Sequence, residues 1–238
     1  MKLTAHRGVS SLAPENTLAA FRKAADMGCE WIEIDVQLSL DKVPVVIHDQ
    51  SVKRCTNGDG IVAQMNLASL QSLDAGSWFS EAFNDERIPT FEQTLLLANE
   101  LNLKVNIEIK LYPGDDIALL CEKIKEVIVQ LNIDTTQLLF SSFNLQALKQ
   151  IHALLPQVRR GLLCKEIPDN SLDLLLEIDA FSMHCHYQFL TAQQTAKIKQ
   201  AGYEIYCYTV NDPEKVKDYW QWGVDMMITD KPQAYVTI

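Results

Sequence analysis

The feature that most constrains the fold is a repeated alternation of short apolar strand patterns with longer helical patterns along the chain. The predicted strands are KLTAH, WIEIDV, PVVIH, VNIEIK, QLLFSS, VRRGLLC, DAFSMH, EIYCYT and DMMIT. The predicted helices span residues 16–28, 90–101, 116–131, 144–154, 171–176, 191–201 and 213–222. Roughly eight strands in this βα order predict a parallel sheet. At 238 residues a closed (β/α)8 TIM barrel fits best, with an open doubly wound sheet as the alternative.

One polar, glycine-containing stretch, residues 50–89, interrupts this rhythm. We therefore predict a single TIM-barrel domain over residues 1–238, with residues 50–89 as a small segment inserted after an early strand. Active sites of such barrels lie at the carboxyl ends of the strands, so we expect the segment on that catalytic rim. It would either cover a substrate or be a decoration of the barrel, and the pattern fits both.

Composition narrows the possible partners and the compartment. The formal net charge is −10, which argues against a general binder of nucleic acid or anionic membranes. Six cysteines are spread singly with no CxxC, which is typical of a reduced protein. The chain enters its first strand without a leader pattern, and no apolar run has the length of a bilayer span. We therefore expect a cytoplasmic protein with no stable membrane insertion.

Two predicted strands carry acids on the face opposite their apolar residues. In WIEIDV these acids are Glu33 and Asp35, and in VNIEIK the acid is Glu108, followed by Lys110. An unpaired buried carboxylate is costly, and three on neighbouring strands would repel one another unless a cation lies among them. Hard oxygen ligands favour Mg²⁺ or Ca²⁺ over Zn²⁺. The structural alternative is an ion pair, such as Glu108 with Lys110 or Glu33 with an arginine.

Two histidines close predicted strands on the same rim as these acids. His6 ends the strand in AHRG, and His48 ends the strand in VVIHD. Histidine exchanges protons near neutral pH, so the two together predict an acid/base pair around a substrate. Arg7 offers a planar fork suited to phosphate, or else makes a rim salt bridge. Tyr208 also ends a strand, and we expect it to line the pocket.

Two further motifs have a structural as well as a functional interpretation. His184 and His186 have metal-ligand spacing on a strand, which supports a rival hypothesis of an amidohydrolase-like zinc hydrolase. A single HxH is a weak signal, and rim hydrogen bonding or solvent exposure is the more typical outcome. PENT, residues 14–17, predicts a turn into a helix capped by Asn16 or Thr17, and this needs no catalytic role.

Nearly the whole chain resembles one known family. HRG, PENTLAAF and GCEWIEIDVQLSLDKVPVVIHD occur in order, followed by TNGDG, LDAGSWF, IPTFEQTL, NIEIK, YTVND and GVDMMITDKP. In order and spacing these motifs resemble the glycerophosphodiester phosphodiesterase family, in its bacterial, cytoplasmic form. The chain has GCE where the family usually has GAD, and YTVN where a tryptophan is common. Neither departure removes an ionisable group, although both bear on substrate preference.

The resemblance implies a TIM barrel that hydrolyses glycerophosphodiesters to sn-glycerol 3-phosphate and an alcohol such as choline or ethanolamine. The matching positions imply divalent-cation ligands (Glu33, Asp35, Glu108), a general acid/base pair (His6, His48) and phosphate-binding groups (Arg7, Lys110). It leaves open the role of each histidine, the choice of Mg²⁺ or Ca²⁺, and whether water or the glycerol 2-hydroxyl attacks. The expected partner is a small-molecule diester, and the expected assembly is a monomer or homodimer. A non-enzymatic binder of phosphorylated ligands would need no histidine pair.

Overall fold

The computed structural model describes residues 2–235 of the chain. The strands within this range are β1 (Lys2–His6), β2 (Trp31–Leu38), β3 (Pro44–Val46), β4 (Lys104–Ile109), β5 (Leu138–Ser142), β6 (Arg159–Cys164), β7 (Ser182–His186), β8 (Glu204–Tyr208) and β9 (Met226–Thr229). The α-helices are α1 (Leu18–Asp26), α2 (Leu67–Gln71), α3 (Phe91–Glu100), α4 (Ile117–Gln130), α5 (Leu145–Leu154), α6 (Ser171–Glu177), α7 (Ala192–Gln200) and α8 (Lys217–Trp222).

Eight of these strands close into a parallel barrel. The order around it is β1, β2, β4, β5, β6, β7, β8 and β9, and β1 pairs with both β2 and β9. Helices lie between successive strands, as the alternating sequence pattern predicts. The chain is therefore a (β/α)8 TIM barrel, as predicted, and the alternative of an open sheet is wrong because the sheet has no free edge within the barrel.

The strand predicted at PVVIH is not part of the barrel. β3 runs antiparallel to β2, which is its one strand partner among the described residues. It ends at Val46, so His48 lies two residues beyond its end. The reason is the length of the connection, because only residues 39–43 separate β2 from β3. A parallel crossover needs roughly a dozen residues or more, whereas an antiparallel return needs only a short turn.

Residues 50–89 follow this short strand and contain α2 together with short 3₁₀ turns. They pack around a small apolar cluster that they share with the chain just before them. It is formed by Val45, Ile47, Val52, Val62, Leu70, Ala75 and Ile88. The barrel thus carries a small insertion after an early strand. The predicted bounds of that segment and of a single domain stay predictions, and residues 1 and 236–238 lie outside the described range.

The alternation seen in the sequence sorts the strand residues between two environments. Ile32 and Ile34 of β2 and Ile107 of β4 are fully buried in the cluster that includes Phe21 of α1 and Leu95 of α3. The intervening residues of the same strands face the barrel interior. Packing of the outer helices therefore holds β2 and β4 in place, and their acids are directed inward.

Among residues 2–235, none of the helices combines the length and the apolar character that crossing a membrane requires.

Candidate active site

Seven of the eight predicted site residues line one cavity at the carboxyl ends of the barrel strands, and the eighth, Asp35, is buried beside Glu33 and Glu108. The volume of the cavity is about 200 Å³. Its lining is formed by His6, Arg7, Glu33, His48, Asn106, Glu108, Lys110, Ser141, Phe143, Leu163, His186, Tyr208, Thr209 and Ile228. Parallel strands end at the same rim, so residues far apart in the chain meet there.

The centre of the site is a cluster of three buried carboxylates. Glu33, Asp35 and Glu108 each place an oxygen such that these atoms all lie within 4.8 Å of one another. The register explains this arrangement, because Asp35 of β2 lies opposite Glu108 of β4 and Glu33 is two residues away on the same face. Like charges this close and this buried repel each other strongly unless positive charge balances them.

The pKa values of the three acids shift in different directions. Burial and mutual repulsion raise them, and the nearby cations lower them. Burial, followed by the charges of Asp35 and Glu108, holds the pKa of Glu33 well above its usual range. Burial and the Asp35 charge also raise the pKa of Glu108 to about 7, although Lys110 opposes the shift. Burial likewise acts to raise the pKa of Asp35, but Arg7 and Lys110 outweigh it and lower that pKa to about 2.

The donor set fits a hard divalent cation. The Oδ1 atom of Asp35 is buried and has no hydrogen-bond partner, although Lys110 Nζ lies 3.5 Å from it. A buried carboxylate oxygen without a donor is costly, and a cation would satisfy it. Carboxylates alone form the cluster, as suits Mg²⁺ or Ca²⁺. Among residues 2–235 it is the one group of three or more metal-binding side chains found this close together.

Arg7 is held against the acids by its own backbone. It has a φ of +55°, in the left-handed region that costs about 1–3 kcal/mol for a residue other than glycine. This conformation directs its backbone N–H to Glu33 Oε2 at 3.1 Å. Its guanidinium donates to Glu15 Oε1 at 2.7 Å and places Nε 3.3 Å from Asp35 Oδ2. Arg7 therefore forms ion pairs with Glu15 and Asp35 and also lines the cavity.

Lys110 links the acid cluster to one of the two histidines. Its ammonium donates to Glu108 Oε1 at 2.8 Å and lies 2.8 Å from His48 Nε2. The ion pair with Glu108, which the sequence offered as a structural alternative, is thus present. Lys110 also lines the cavity, so the ion pair does not remove it from the site.

His48 is anchored on both ring nitrogens. Its Nδ1 lies 2.7 Å from Asp49 Oδ1, and its Nε2 faces Lys110. A lysine ammonium can only donate, so Nε2 is the acceptor and Nδ1–H donates to Asp49. Burial, aided by the charges of Arg7 and Lys110, lowers the pKa of His48 despite the opposing effect of Asp35. The ring is therefore held neutral, with a lone pair on Nε2.

His6 has a similar anchor from the last strand of the barrel. Its Nδ1 lies 2.6 Å from Oδ1 of Asp230, which follows β9, and its Nε2 lies 3.9 Å from Glu33 Oε2. Asp230 also accepts hydrogen bonds from Ser10 and Asn211. Burial acts to raise the pKa of Asp230, but the hydrogen bond from His6 and these further donors hold it well below its usual range. An ionised Asp230 directs Nε2 of His6 toward the cavity.

Sequence reasoning missed four residues around this centre. The sequence predicts only a helix cap in PENT. That cap is confirmed, because Thr17 Oγ1 accepts a hydrogen bond from the backbone N–H of Ala20. The same motif also places Asn16 Nδ2 2.9 Å from Asp35 Oδ2, and Glu15 on Arg7. The other two missed residues are Asp49 and Asp230. The signal for them was present, since an acid directly follows His48 and another directly follows the last strand.

The two histidines of MHCHY do not form a metal site with further ligands. His184 is fully buried, lies 2.8 Å from Ser182 Oγ through Nε2 and stacks on Tyr206. Burial lowers its pKa to about 3. His186 lies at the rim and lines the cavity. The rival zinc hypothesis has no support from geometry, because the described residues gather no third ligand of this type around the pair.

The remaining cavity wall has two distinct parts. Phe143, Leu163 and Tyr208 form an apolar and aromatic side, and the Tyr208 hydroxyl donates to the Cys164 carbonyl at 2.7 Å. The proton of that hydroxyl is therefore engaged by the protein. On the polar side, Asn106 Oδ1 and Ser141 Oγ are buried without a hydrogen-bond partner, and both residues line the cavity.

Comparison with known proteins agrees with this geometry. Residues 6–234 match the profile of the glycerophosphoryl diester phosphodiesterase family. A glycerophosphodiester phosphodiesterase of Caldanaerobacter subterraneus subsp. tengcongensis is 37% identical over 98% of this chain and 96% of its own. One from Bacillus altitudinis is 32% identical over 100% of this chain and 97% of its own. The chain belongs to the glycerophosphoryl diester phosphodiesterase family and is an enzyme of that class, as predicted.

A solved structure from Oleispira antarctica is similar to the whole chain. It is a phosphodiesterase in complex with the product sn-glycerol-3-phosphate, with a TM-score of 0.95 and 36% identity. The match covers 100% of this chain and 96% of that one.

The anchoring of His6 generates a first testable prediction. Replacing Asp230 with asparagine keeps the size of the side chain but removes the charge that fixes Nδ1–H. We expect kcat for a phosphodiester substrate to fall by about 10²–10⁴-fold, by analogy with loss of the orienting aspartate in a hydrolase triad. Steady-state kinetics checks the fall, and an unchanged melting temperature shows that the fold is intact. Near-full kcat in Asp230→Asn would contradict the orienting role.

Proposed function

We propose that this enzyme hydrolyses glycerophosphodiesters to sn-glycerol 3-phosphate and an alcohol such as choline or ethanolamine, with the aid of one Mg²⁺ or Ca²⁺ ion. The observation that carries the proposal is a single cavity in which three clustered carboxylates lie beside two anchored histidines. The product bound by the Oleispira antarctica relative supports the same reaction here.

Glu33, Asp35 and Glu108 are the residues that would hold the cation. When bound there, a divalent cation neutralises charge on phosphoryl oxygens and lowers the barrier to attack on phosphorus. Arg7 and Lys110 would bind the remaining phosphoryl oxygens, because both are partly buried cations that line the cavity. Both already contact the carboxylates, so the phosphate would join an existing network of fixed charges.

The hydrogen bonds of the two histidines suggest a division of labour. His48 holds a lone pair on Nε2, so we assign it as the general base that takes the proton of the attacking hydroxyl. His6, at the end of β1, would then deliver a proton from Nε2 to the departing alcohol. A new P–O bond forms to the attacking oxygen as the P–O bond to the alcohol breaks. The attacking group is either water, which gives sn-glycerol 3-phosphate directly, or the substrate's glycerol 2-hydroxyl. In the second case the product is a cyclic phosphate, which a water molecule then opens to sn-glycerol 3-phosphate.

The two sides of the cavity suggest how the substrate lies. Asn106 and Ser141 offer buried polar atoms that lack protein partners, and the glycerol hydroxyls would satisfy them. The apolar side, with Phe143 and Tyr208, would then face the departing alcohol.

Two properties beyond catalysis remain predictions. A reducing, cytoplasmic location rests on six cysteines that are free in the described chain, and cell fractionation tests it. A monomer or homodimer is expected, and light scattering on the purified protein distinguishes the two.

The central experiment measures released sn-glycerol 3-phosphate with a coupled dehydrogenase assay, on glycerophosphocholine and glycerophosphoethanolamine. We expect chelation to abolish activity and either Mg²⁺ or Ca²⁺ to restore it, because the ion would supply charge neutralisation at the phosphoryl oxygens. The stripped protein should also melt at a higher temperature when the ion is added, since a ligand of the native state stabilises it.

Glu108→Gln is the matched variant, and it should lose both the activity and the ion-induced rise in melting temperature. Wild-type enzyme that leaves both diesters intact with every ion tested would refute the proposed function. Full activity after exhaustive chelation would refute the role of the cation.

The histidine assignment predicts different sensitivities to the leaving group. Loss of one acid/base group typically lowers the rate by about 10²–10⁴-fold. We expect His48→Ala to show such a loss for every diester. His6→Ala should show it for glycerophosphocholine but much less for the 4-nitrophenyl ester of glycerol 3-phosphate, because 4-nitrophenolate leaves without protonation. The reverse pattern would exchange the two roles, and near-full turnover in either variant would reject the acid/base pair.

Ser141 and its neighbour Ser142 form a matched pair on β5 for testing hydroxyl recognition. Ser141→Ala should raise the inhibition constant of sn-glycerol 3-phosphate by about 3–10-fold, which corresponds to one lost hydrogen bond. It should leave that of propyl phosphate, which lacks both hydroxyls, unchanged. Ser142 Oγ instead donates to the Ile109 carbonyl, so Ser142→Ala should change stability but not the ratio of the two constants. An unchanged ratio in Ser141→Ala would remove Ser141 from substrate recognition.

A further inference from the structure

We propose that Arg54, in the inserted segment, is a positioning residue that fixes both the base His48 and the phosphate-binding Arg7 through two shared carboxylates. The proposal rests on the proposed function for the roles of His48 and Arg7. It assigns a task to a segment that sequence reasoning left as either a cover or a decoration.

The guanidinium of Arg54 donates hydrogen bonds to two carboxylates, those of Asp49 and Glu15. Nε and Nη2 donate to Asp49 Oδ2 and Oδ1 at 2.6 and 3.0 Å. Nη1 and Nη2 donate to Glu15 Oε2 and Oε1 at 2.6 and 2.9 Å. Both contacts are bidentate, which is the strongest and most directional form of this interaction. Arg54 ends a 3₁₀ turn whose first residue, Val52, is fully buried in the apolar cluster of the inserted segment.

The first branch leads to the general base. Oδ1 of Asp49 accepts from Arg54 and also from Nδ1–H of His48 at 2.7 Å. The Asp49 side chain is one-third exposed, and the other hydrogen bonds found for its carboxylate within residues 2–235 come from Arg54. Without Arg54, rotation of this carboxylate would free the Nδ1 side of His48 and leave its ring held by Lys110 alone.

The second branch leads to the phosphate-binding arginine. Oε1 of Glu15 accepts from Arg54 Nη2 and also from Arg7 Nη1 at 2.7 Å. Arg7 extends from a left-handed backbone position toward Asp35, so Glu15 holds the far end of its side chain. Without Arg54, the Glu15 carboxylate would keep Arg7 as its partner but lose the group that fixes its orientation.

The alternative to a positioning role is that Arg54 forms only an ordinary surface ion pair, since its side chain is 45% exposed. Exposed ion pairs between flexible side chains usually contribute little. Two observations oppose that interpretation. Each carboxylate is shared with a cavity-lining residue, and Glu15 lies 39 residues from Arg54, in the connection between β1 and α1. Arg54 therefore connects the inserted segment to the two carboxylates that orient His48 and Arg7.

The first test compares Arg54→Met with Lys53→Met. Lys53 belongs to the same turn, carries the same charge, is mostly exposed and lies 3.8 Å from Asp59. Because loss of orientation affects both binding and proton transfer, we expect kcat/KM of Arg54→Met for glycerophosphocholine to fall about 10–100-fold. Part of this fall should be a higher KM, because Arg7 binds the phosphate less well. The rest should be a lower kcat, because His48 is less well oriented to take the proton. Lys53→Met should stay within about 2-fold of wild type, as is usual for an exposed pair.

Two further variants distinguish positioning from stability. Adding guanidinium ion to Arg54→Ala should restore part of the lost kcat, whereas a merely structural role predicts no such rescue. Arg54→Met combined with Asp49→Asn should lose little more than the worse single variant, because residues that act as one unit are not additive. If Arg54→Met behaves like Lys53→Met, or if it loses activity only in proportion to folded protein and without rescue, the proposal is wrong.

A readout without turnover separates this proposal from the proposed function. In ¹⁵N-labelled protein, assigned by comparison with His48→Gln, the Nδ1–H proton of His48 should exchange slowly with solvent in wild type and faster in Arg54→Met, because its hydrogen bond to Asp49 is then no longer fixed. Wild-type protein that is inactive on glycerophosphodiesters but shows this change refutes the proposed function and keeps the role of Arg54. An active protein whose His48 signal is the same in both refutes the role of Arg54 alone.

Discussion

Three carboxylates buried within 4.8 Å of one another are the constraint on which the rest of this site depends. In a low-dielectric interior such a cluster is unfavourable, and nearby cations must offset it. Arg7 and Lys110 provide two positive charges in direct contact with the acids, and Asp35 remains ionised because of them. The same two cations also line the cavity, so the groups that stabilise the acid cluster also face the space open to a ligand.

A second layer of carboxylates orients the two histidines of the cavity. Asp230 and Asp49 each hold the Nδ1 side of a histidine, which leaves Nε2 directed to the cavity or to Lys110. The two anchors have different origins. Asp49 is adjacent to its histidine in the chain, whereas Asp230 is 224 residues away from His6 and reaches it because β1 pairs with β9.

The inserted segment extends this arrangement outward. Its Arg54 contacts Asp49 and Glu15, so the orientation of the inner residues continues into residues that are partly exposed. Packing around Val52 and Leu70 gives the segment a small core that can hold this arginine in place.

The sequence by itself determined the barrel and the inward direction of Glu33, Asp35 and Glu108, because alternation at every second residue is a local property of a strand. It also placed His6 and His48 on the catalytic rim, although it took the strand before His48 for a barrel strand, since apolar patterns carry no information on strand direction. Only the tertiary structure decided which carboxylate orients each histidine and that Glu15 and Arg54 join the site. Those contacts depend on barrel closure and on loop packing, which bring together side chains whose separation in the chain has no period.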